Sequence, residues 1–325
     1  MSAVLLAGAG CTAIRSHRAT VRLTRGEALL EEQALEAALA EFEAAARIDP
    51  QLAAPHSRMG AIFRRMGDYD KAISAFLEAI KRDPFSFEDA FDLARLYQFA
   101  DRLKEAILAY LHAVELSPDS YDAQLNLGTC YQQSGDYAQA ADRFQKAVEI
   151  DSTRPQGYVN LGVALDALEN HYGAIRAYKE ALERDSRQPM VLVNLAHTYM
   201  NQDRLKMARQ ALREALRIDS DLPAAYEGLG YCLFRMREFD AAEQAYTRAL
   251  AGDWRLPRAH AGLGSICMLR YLQDKSRLDL HEQAREHWHR SLELKPDQPR
   301  IRRLLVKYKR QSQDPEETLL NASAE

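Results

Sequence analysis

The most constraining feature of this 325-residue chain is an internal period of 34 residues. When Ala19 is taken as position 1 of a 34-residue frame, position 8 is small in seven successive copies: Gly26, Gly60, Ala94, Gly128, Gly162, Ala196 and Gly230. Position 20 is always alanine, and position 24 is aromatic in six of the seven copies. The phase is kept from Ala19 to Leu256 without an insertion or deletion. A period of this length indicates a repeat architecture.

Each copy contains two segments with apolar residues at helical spacing, as in Ile73, Phe76, Leu77 and Ile80. Prolines mark the boundaries, because proline ends one helix at position 32 or begins the next at position 1. The prolines at these two positions are Pro50, Pro84, Pro118, Pro155, Pro189, Pro223 and Pro257. The one strand-like stretch, residues 190–193, falls in phase inside a first helix and is predicted to be helical. A single helical pair cannot bury its apolar face alone, so the copies must stack.

The eighth copy begins at Pro257 and departs from the frame. Ala284 takes the role of position 20 eight residues late, which predicts an eight-residue insertion between the two helices, near Leu272 to Leu280. Residues 300–310 then begin one more first helix, and its basic, amphipathic pattern is typical of the polar cap that a stack of repeats needs for solubility.

The motifs Asn126-Leu127-Gly128, Gly135-Asp136-Tyr137 and Ala140-x-x-x-Phe144 resemble the tetratricopeptide repeat, whose unit is a 34-residue helix–turn–helix. The resemblance implies an all-α fold: a right-handed α-solenoid of about eight such repeats with a C-terminal capping helix. The predicted organisation is a leader or disordered segment over 1–18, a repeat array over 19–298, a capping helix over 299–312 and a disordered tail over 313–325. The repeats start at residues 19, 53, 87, 121, 155, 189, 223 and 257.

The composition is that of a folded protein without a strong charge of either sign. Hydrophobic residues make up 47%, and 43 basic residues face 47 acidic ones, a formal charge of −4. Nucleic acid is therefore not expected as a partner. Four cysteines are too few for a disulfide framework, and no apolar run reaches the roughly 18 residues of a membrane span.

No enzyme signature is present in the sequence. His281-Glu282-x-x-Arg285 lacks the second histidine that zinc binding by this motif needs. His287 and His289 are two residues apart and cannot share a helix face. We therefore predict no catalytic residue, no metal and no cofactor. An enzyme would need a hidden site around His281, His287 and His289.

The N-terminus allows two interpretations. Ala9-Gly10-Cys11, which follows an apolar stretch, resembles a bacterial lipoprotein signal, in which Cys11 would be lipidated. The protein would then be a lipid-anchored envelope assembly factor. The alternative is the frayed start of a cytoplasmic adaptor. In either case, contact with a membrane is predicted only through this anchor.

The resemblance also implies where a partner binds, because in this family positions 2, 5, 6, 9, 12 and 13 of each first helix line a concave groove. Position 6 is asparagine in three successive repeats, at Asn126, Asn160 and Asn194. An asparagine amide offers a donor and an acceptor, so it can bracket a peptide group. The series resembles the asparagine ladder in the repeat domains of O-linked N-acetylglucosamine transferases. The alternative is that these asparagines belong to the generic repeat pattern.

Neighbouring positions complete the predicted site. Leu125, Val159 and Val193 form an apolar stripe at position 5, and Arg58 and Arg95 are basic residues towards its N-terminal end. No repeat has the lysine at position 5 and asparagine at position 9 that bind chaperone tails in related co-chaperones. The prediction is a non-catalytic scaffold or adaptor that binds an extended peptide segment of a partner protein.

Overall fold

The computed structural model describes the backbone of residues 2–309 and the side chains of residues 14–309. Within these ranges the chain forms 17 helices and no strand, which confirms the predicted all-α repeat solenoid. The helices group into two compact units, residues 1–169 and residues 170–325. No helix among the described residues is long and apolar enough to span a membrane.

The first unit contains nine helices. Their bounds are α1 Ser2–Glu31, α2 Leu35–Ile48, α3 Ala54–Met66, α4 Tyr69–Arg82, α5 Phe87–Phe99, α6 Leu103–Leu116, α7 Tyr121–Gln133, α8 Tyr137–Ile150 and α9 Pro155–Ala167. The second unit contains eight within its described part. Their bounds are α10 His171–Arg184, α11 Pro189–Asn201, α12 Leu205–Ile218, α13 Pro223–Arg235, α14 Phe239–Gly252, α15 Pro257–Gln273, α16 Leu278–Leu294 and α17 Pro299–Lys307.

Small residues at position 8 leave room for the large side chain at position 24 of the same hairpin. A Cβ atom on Gly128 would lie 2.7 Å from the Phe144 ring, and one on Gly230 would lie 2.6 Å from the Tyr246 ring. Phe144 and Tyr246 are both buried. The 34-residue pattern therefore encodes the close approach of paired helices, because interiors are packed too densely to admit an extra atom there.

First helices begin in two ways. In α5 and α7, Ser86 and Ser120 accept hydrogen bonds from backbone N–H groups of the first turn. The helices α9 and α15 begin at proline and lack a capping side chain of their own. In α9, the Gly157 N–H instead donates to the Tyr121 hydroxyl of the preceding first helix, α7, at 2.9 Å. In α15, the Ala259 N–H lies near the Glu227 carboxylate of α13 and opposes the rise in the pKa of Glu227 that burial causes.

The turn inside each regular hairpin contains one residue with left-handed backbone at position 15. Glycine occupies this position only at Gly67 and Gly135; the other residues with positive φ are Gln33, Asp101, Glu169, Asp203 and Arg237. L-residues adopt this conformation at a cost. The hairpin geometry is therefore set by the repeat as a whole, and the local residue adapts to it.

The eight-residue insertion lengthens both helices of the last hairpin. The helices α15 and α16 have 17 residues each, whereas α13 and α14 of the preceding hairpin have 13 and 14. Four of the inserted residues therefore extend the first helix, three extend the second and one enlarges the turn. The insertion forms about one further helical turn on each arm.

The ends differ in how far the structure describes them. The backbone of α1 is helical from Ser2, well before the predicted start of the array at residue 19. The side chain of Cys11 lies outside the described residues, as do residues 310–325, so its lipidation and the disordered tail stay predictions. The strand-like residues 190–193 are helical within α11, as predicted.

Candidate functional site

One candidate site is a groove in the first unit with a volume of 690 Å³. Five of its ten lining residues lie on α5, and the other five come from the neighbouring first helices α3 and α7 and the second helices α4 and α6. The lining residues are Arg64, Tyr69, Phe91, Arg95, Leu96, Gln98, Phe99, Tyr110, Asp122 and Asn126. We call this set the α5 groove. Consecutive first helices present one face to it, and a second-helix residue reaches in on either side.

Aromatic rings form much of the wall of the α5 groove. Tyr69 and Phe99 pack with ring centroids 4.6 Å apart, and Phe91 meets the edge of Tyr110 at 5.8 Å. Phe99 is 69% exposed, which is unusual for a phenylalanine. An exposed aromatic ring beside other rings can bury apolar area against a ligand without any rearrangement of the core.

Two arginines on one side of the groove share a single carboxylate. The Arg64 Nη1 atom lies 2.6 Å from Asp92 Oδ1, and the Arg95 Nη1 atom lies 3.5 Å from the same oxygen. The Arg95 guanidinium also lies over the Phe91 ring, 5.9 Å from its centroid. Each guanidinium has five N–H donors, so most of their hydrogen-bonding capacity faces the groove or solvent.

A short row of polar side chains connects three helices at the base of the groove. The Tyr110 hydroxyl of α6 donates to Gln98 Oε1 of α5 at 2.9 Å, and the Asn126 amide of α7 lies near that hydroxyl and interacts with it. Burial raises the pKa of Tyr110 far above its usual value, so the hydroxyl stays a neutral donor. The Tyr110 hydroxyl therefore gives the Asn126 amide a polar neighbour in the groove.

The three predicted asparagines lie in different surroundings. Asn126 lines the groove, as does the predicted Arg95. Asn160 lies on α9 and accepts a hydrogen bond from Gln156 at 2.8 Å. Asn194 lies on α11 in the second unit. Each is half-buried, so each retains some surface for a ligand.

The other predicted site residues also separate. Leu125 and Val159 are half-buried on α7 and α9. Arg58 is exposed and pairs with Glu27 at 3.0 Å. Val193 is only 2% exposed, so it contributes to the core and cannot line an open surface. That burial corrects its assignment to the site.

Sequence reasoning did not single out Tyr69, Gln98, Phe99, Tyr110 and Asp122. For three of them a signal existed, because Asp122 is at position 2, Gln98 at position 12 and Phe99 at position 13 of their repeats. Those positions belong to the predicted concave set. Tyr69 and Tyr110 lie on second helices, and the repeat frame gave no reason to place them at a groove.

The histidines of the second unit form a different kind of site. The Nδ1 atoms of His260 and His287 lie 3.0 Å apart, and His260 Nε2 lies 3.0 Å from the Trp254 carbonyl oxygen. They line a pocket of 670 Å³ together with Glu286, His289, Arg290 and Glu293. Burial is the main cause that lowers the pKa of both paired histidines. We call this set the histidine pocket.

The structure does not group His281, His287 and His289 at one site. His287 pairs with His260, whereas His281 is buried and packs against the Tyr271 ring with centroids 4.9 Å apart. Among residues whose side chains the structure describes, no three histidine, cysteine or acidic side chains are placed to hold a metal ion. The thiols of Cys130 and Cys232 are buried, which raises their pKa to about 11 and leaves them unreactive.

Stacked helical hairpins with an open, ring-lined groove define a repeat solenoid of the protein-interaction class. One tetratricopeptide-repeat family model matches residues 53–86, and another matches residues 91–155, 159–223 and 193–257. These matches cover more than half of the chain. The chain therefore belongs to the tetratricopeptide-repeat family.

Several solved structures are similar. The C-terminal part of a TPR repeat-containing protein from Cytophaga hutchinsonii is 17% identical, covering 74% of this chain and 99% of that one, with a TM-score of 0.62. The pilF protein of Pseudomonas aeruginosa is 19% identical, covering 68% of this chain and 97% of that one, with a TM-score of 0.56. YrrB, a TPR protein with an unusual peptide-binding site, is 21% identical, covering 58% of this chain and 97% of that one, with a TM-score of 0.51. At these identities the likeness concerns the fold. A search of curated proteins gives no significant match.

Proposed function

We propose that the protein is a non-catalytic scaffold whose α5 groove holds an extended segment of a partner protein. The observation that carries the proposal is the joint presence of the exposed Phe99 ring and the Asn126 amide in one open groove. A side chain of the partner would cover Phe99, Tyr69 and Phe91. The free acceptor of Asn126 would bond to a backbone N–H of the same segment.

The other asparagines extend this proposal along the chain. Asn160 belongs to the same unit, and its amide would bracket a further peptide group if its bond to Gln156 opens. Asn194 would act on a segment bound to the second unit. This mode recognises the backbone, so it selects for an extended conformation rather than for one residue type. YrrB, which has a peptide-binding site, supports such a role for the fold.

The test compares two variants, Phe99→Ser and Leu108→Ser, in which the replaced side chains are equally exposed. Phe99 is 69% exposed and lines the groove, whereas Leu108 is 68% exposed and lies on α6 outside it. Dodecapeptides selected from a random displayed library on the full chain would be titrated against both variants by fluorescence anisotropy. Covering a large apolar side chain is worth about 1.5–3 kcal/mol, so we expect Phe99→Ser to weaken binding at least about tenfold.

Leu108→Ser should bind the selected peptides within about twofold of the parent chain, because its exposed side chain does not line the groove. Asn126→Ala should weaken binding by about 0.5–1.5 kcal/mol, the value of one hydrogen bond. The proposal fails if no peptide is enriched, or if the selected peptides bind equally to Phe99→Ser and to the parent.

A further inference from the structure

The charges around the α5 groove do not balance, and the excess is positive. Arg64 and Arg95 share Asp92, while Asp122 is paired with Arg154 through an Nη2–Oδ1 distance of 2.9 Å. Three guanidinium groups thus meet two carboxylates. The Arg95 side chain is 54% exposed and holds the longer of the two contacts with Asp92, so it is the group with the most unused hydrogen-bonding capacity.

This excess lies next to the aromatic wall. Arg95 is over the Phe91 ring, and Phe91 in turn contacts Tyr110, whose hydroxyl bonds to Gln98. Phe99 follows Arg95 by four residues on α5, so the two side chains lie one helical turn apart on the same face. An apolar anchor that covers Phe99 would therefore have a cationic group about one turn away along the groove.

We propose that the α5 groove selects peptides in which an aspartate or glutamate lies within three residues of an aromatic or large aliphatic anchor. This inference rests on the proposed function and names the chemistry of the partner. The anchor covers the Tyr69–Phe99 pair, and the carboxylate takes the unused N–H donors of Arg95 and Arg64. A planar guanidinium group donates two parallel hydrogen bonds to a carboxylate. A lysine or a neutral side chain at the same place on the peptide does not offer this pair of charged acceptors.

The competing occupant is a peptide that carries a lysine or arginine beside the anchor and bonds to Asp92 or Asp122. Both carboxylates are already paired with arginines, so such a ligand would have to displace an existing ion pair. A carboxylate ligand displaces no ion pair, since it uses donors that remain free. Electrostatic complementarity therefore favours the acidic peptide.

The experiment selects dodecapeptides from an unbiased displayed library on the full chain and, in parallel, on Arg95→Glu. The parent should enrich acidic residues within three positions of the anchor, and Arg95→Glu should enrich basic residues there. An apolar anchor with no charge preference, or with a basic preference on the parent, would overturn the inference while leaving the proposed function intact. Failure to enrich any peptide would instead remove both.

Direct titration supplies the second measurement. The best acidic peptide and its Asp→Asn or Glu→Gln counterpart would be titrated against the parent chain, Arg95→Gln and Arg47→Gln. We expect the neutral counterpart to bind the parent about tenfold more weakly, as for the loss of a hydrogen bond to a charged group. Arg95→Gln should abolish most of that difference.

Arg47 is the matched control, because it is exposed, lies on α2 and pairs with Glu43 at 3.8 Å in the same loose manner. Arg47→Gln should keep the full preference for the acidic peptide. Equal loss of the preference in both variants would show a general effect of net charge and would contradict a specific role of Arg95.

Discussion

The α5 groove and the histidine pocket have similar volumes, 690 and 670 Å³, yet their polar groups are used differently. In the groove, two arginines share one carboxylate and an aromatic ring is left open. In the pocket, His260 and His287 bond to each other, and Arg290 is occupied by Glu293 at 2.6 Å and by the Trp254 ring at 4.6 Å. Volume therefore does not distinguish the two regions. The groove that we propose as the binding site differs from the pocket in its unused hydrogen-bonding capacity beside uncovered apolar surface.

The largest expected effect concerns the core of the last hairpin, which carries the paired histidines. Trp288 is 1% exposed, and its ring packs where a Cβ on Gly264 would lie 2.6 Å away. Trp288→Ala should cost about 3–5 kcal/mol of unfolding free energy, since it empties a large core site. Hydrogen exchange over α15 and α16 would measure the loss, because a repeat array need not unfold in one step.

Trp254 provides the control for that substitution, because it is 54% exposed. Trp254→Ala should cost less than about 1 kcal/mol. Peptide binding to the α5 groove should survive both substitutions if the two sites are independent. Equal destabilisation by the two variants would contradict the assignment of Trp288 as the structural support.

The next effect is a pH dependence of the stability of the second unit, caused by the histidine pocket. Burial lowers the pKa of His260, and the charge of Arg290 acts in the same direction. Burial also lowers the pKa of His287; there His260 acts in the same direction and Glu286 opposes the shift. Near and below pH 6.5, the ordinary histidine value, the unfolded chain therefore binds more protons than the folded chain. The stability of the second unit should fall as the pH drops from 7.5 through 6.5 towards the folded pKa values.

Tryptophan fluorescence during urea denaturation is a suitable measurement, because both tryptophans lie in the second unit. His260→Gln should flatten the pH dependence, whereas His289→Gln, at an exposed position of the same pocket, should not. Peptide affinity of the α5 groove should stay constant over this range, since no histidine lines it. A flat stability profile in the parent chain would contradict the coupling of the pair to folding.

A smaller effect is expected from the hydroxyl at the base of the groove. Tyr110→Phe removes the hydrogen bond to Gln98 and the polar neighbour of Asn126, and it should cost about 0.5–1.5 kcal/mol of stability. Peptide affinity should also fall, because the Asn126 amide is then less restricted in its orientation. The exposed Tyr172 serves as control, and Tyr172→Phe should change neither quantity. Unchanged peptide affinity in Tyr110→Phe would show that the orientation of Asn126 does not matter for binding.

The smallest effect concerns the turns of the two units. Gly67 and Gly135 relax two turns of the first unit, whereas the second unit has Asp203 and Arg237 at the same left-handed position. Arg237→Gly should stabilise the second unit by roughly 0.5–1 kcal/mol, because removing the side-chain strain outweighs the added freedom of the unfolded chain. Gly67→Ala should destabilise the first unit. Urea midpoints measured by circular dichroism would compare the two variants with the parent chain. A loss of stability in Arg237→Gly would show that the turn is not strained.

Much of the fold could be predicted because the sequence repeats the same packing rule. Gly128 and Phe144 reveal a close helix–helix approach that recurs every 34 residues, so each copy confirms the others. The division of the insertion between α15 and α16 could not be predicted, because residues 272–280 continue either helix equally well. The 34-residue period shows where the eight residues are inserted, whereas the conformation of these residues depends on tertiary packing.

The candidate site was only partly accessible to the same reasoning. Asn126 and Arg95 could be found, since they occupy concave positions of the frame. The sharing of Asp92 by two arginines and the bond between Tyr110 and Gln98 depend on side-chain rotamers on neighbouring helices, which no sequence period records. Val193 was misplaced for a related reason: position 5 is open on some helices and covered on others.

The hydrogen bond from α9 back to α7 bears on how this protein can be shortened or recombined. A cut after residue 154 follows the sequence repeat, but it would remove the Gly157 N–H that donates to the Tyr121 hydroxyl and the first turn of α9 that packs against it. Tyr121 is buried, so such a cut would expose its ring as well as its hydroxyl. The exchangeable module of this chain is therefore offset from its sequence repeat: it extends through the first turn of the following helix, and fragments designed to that boundary should be more stable than fragments cut at the repeat.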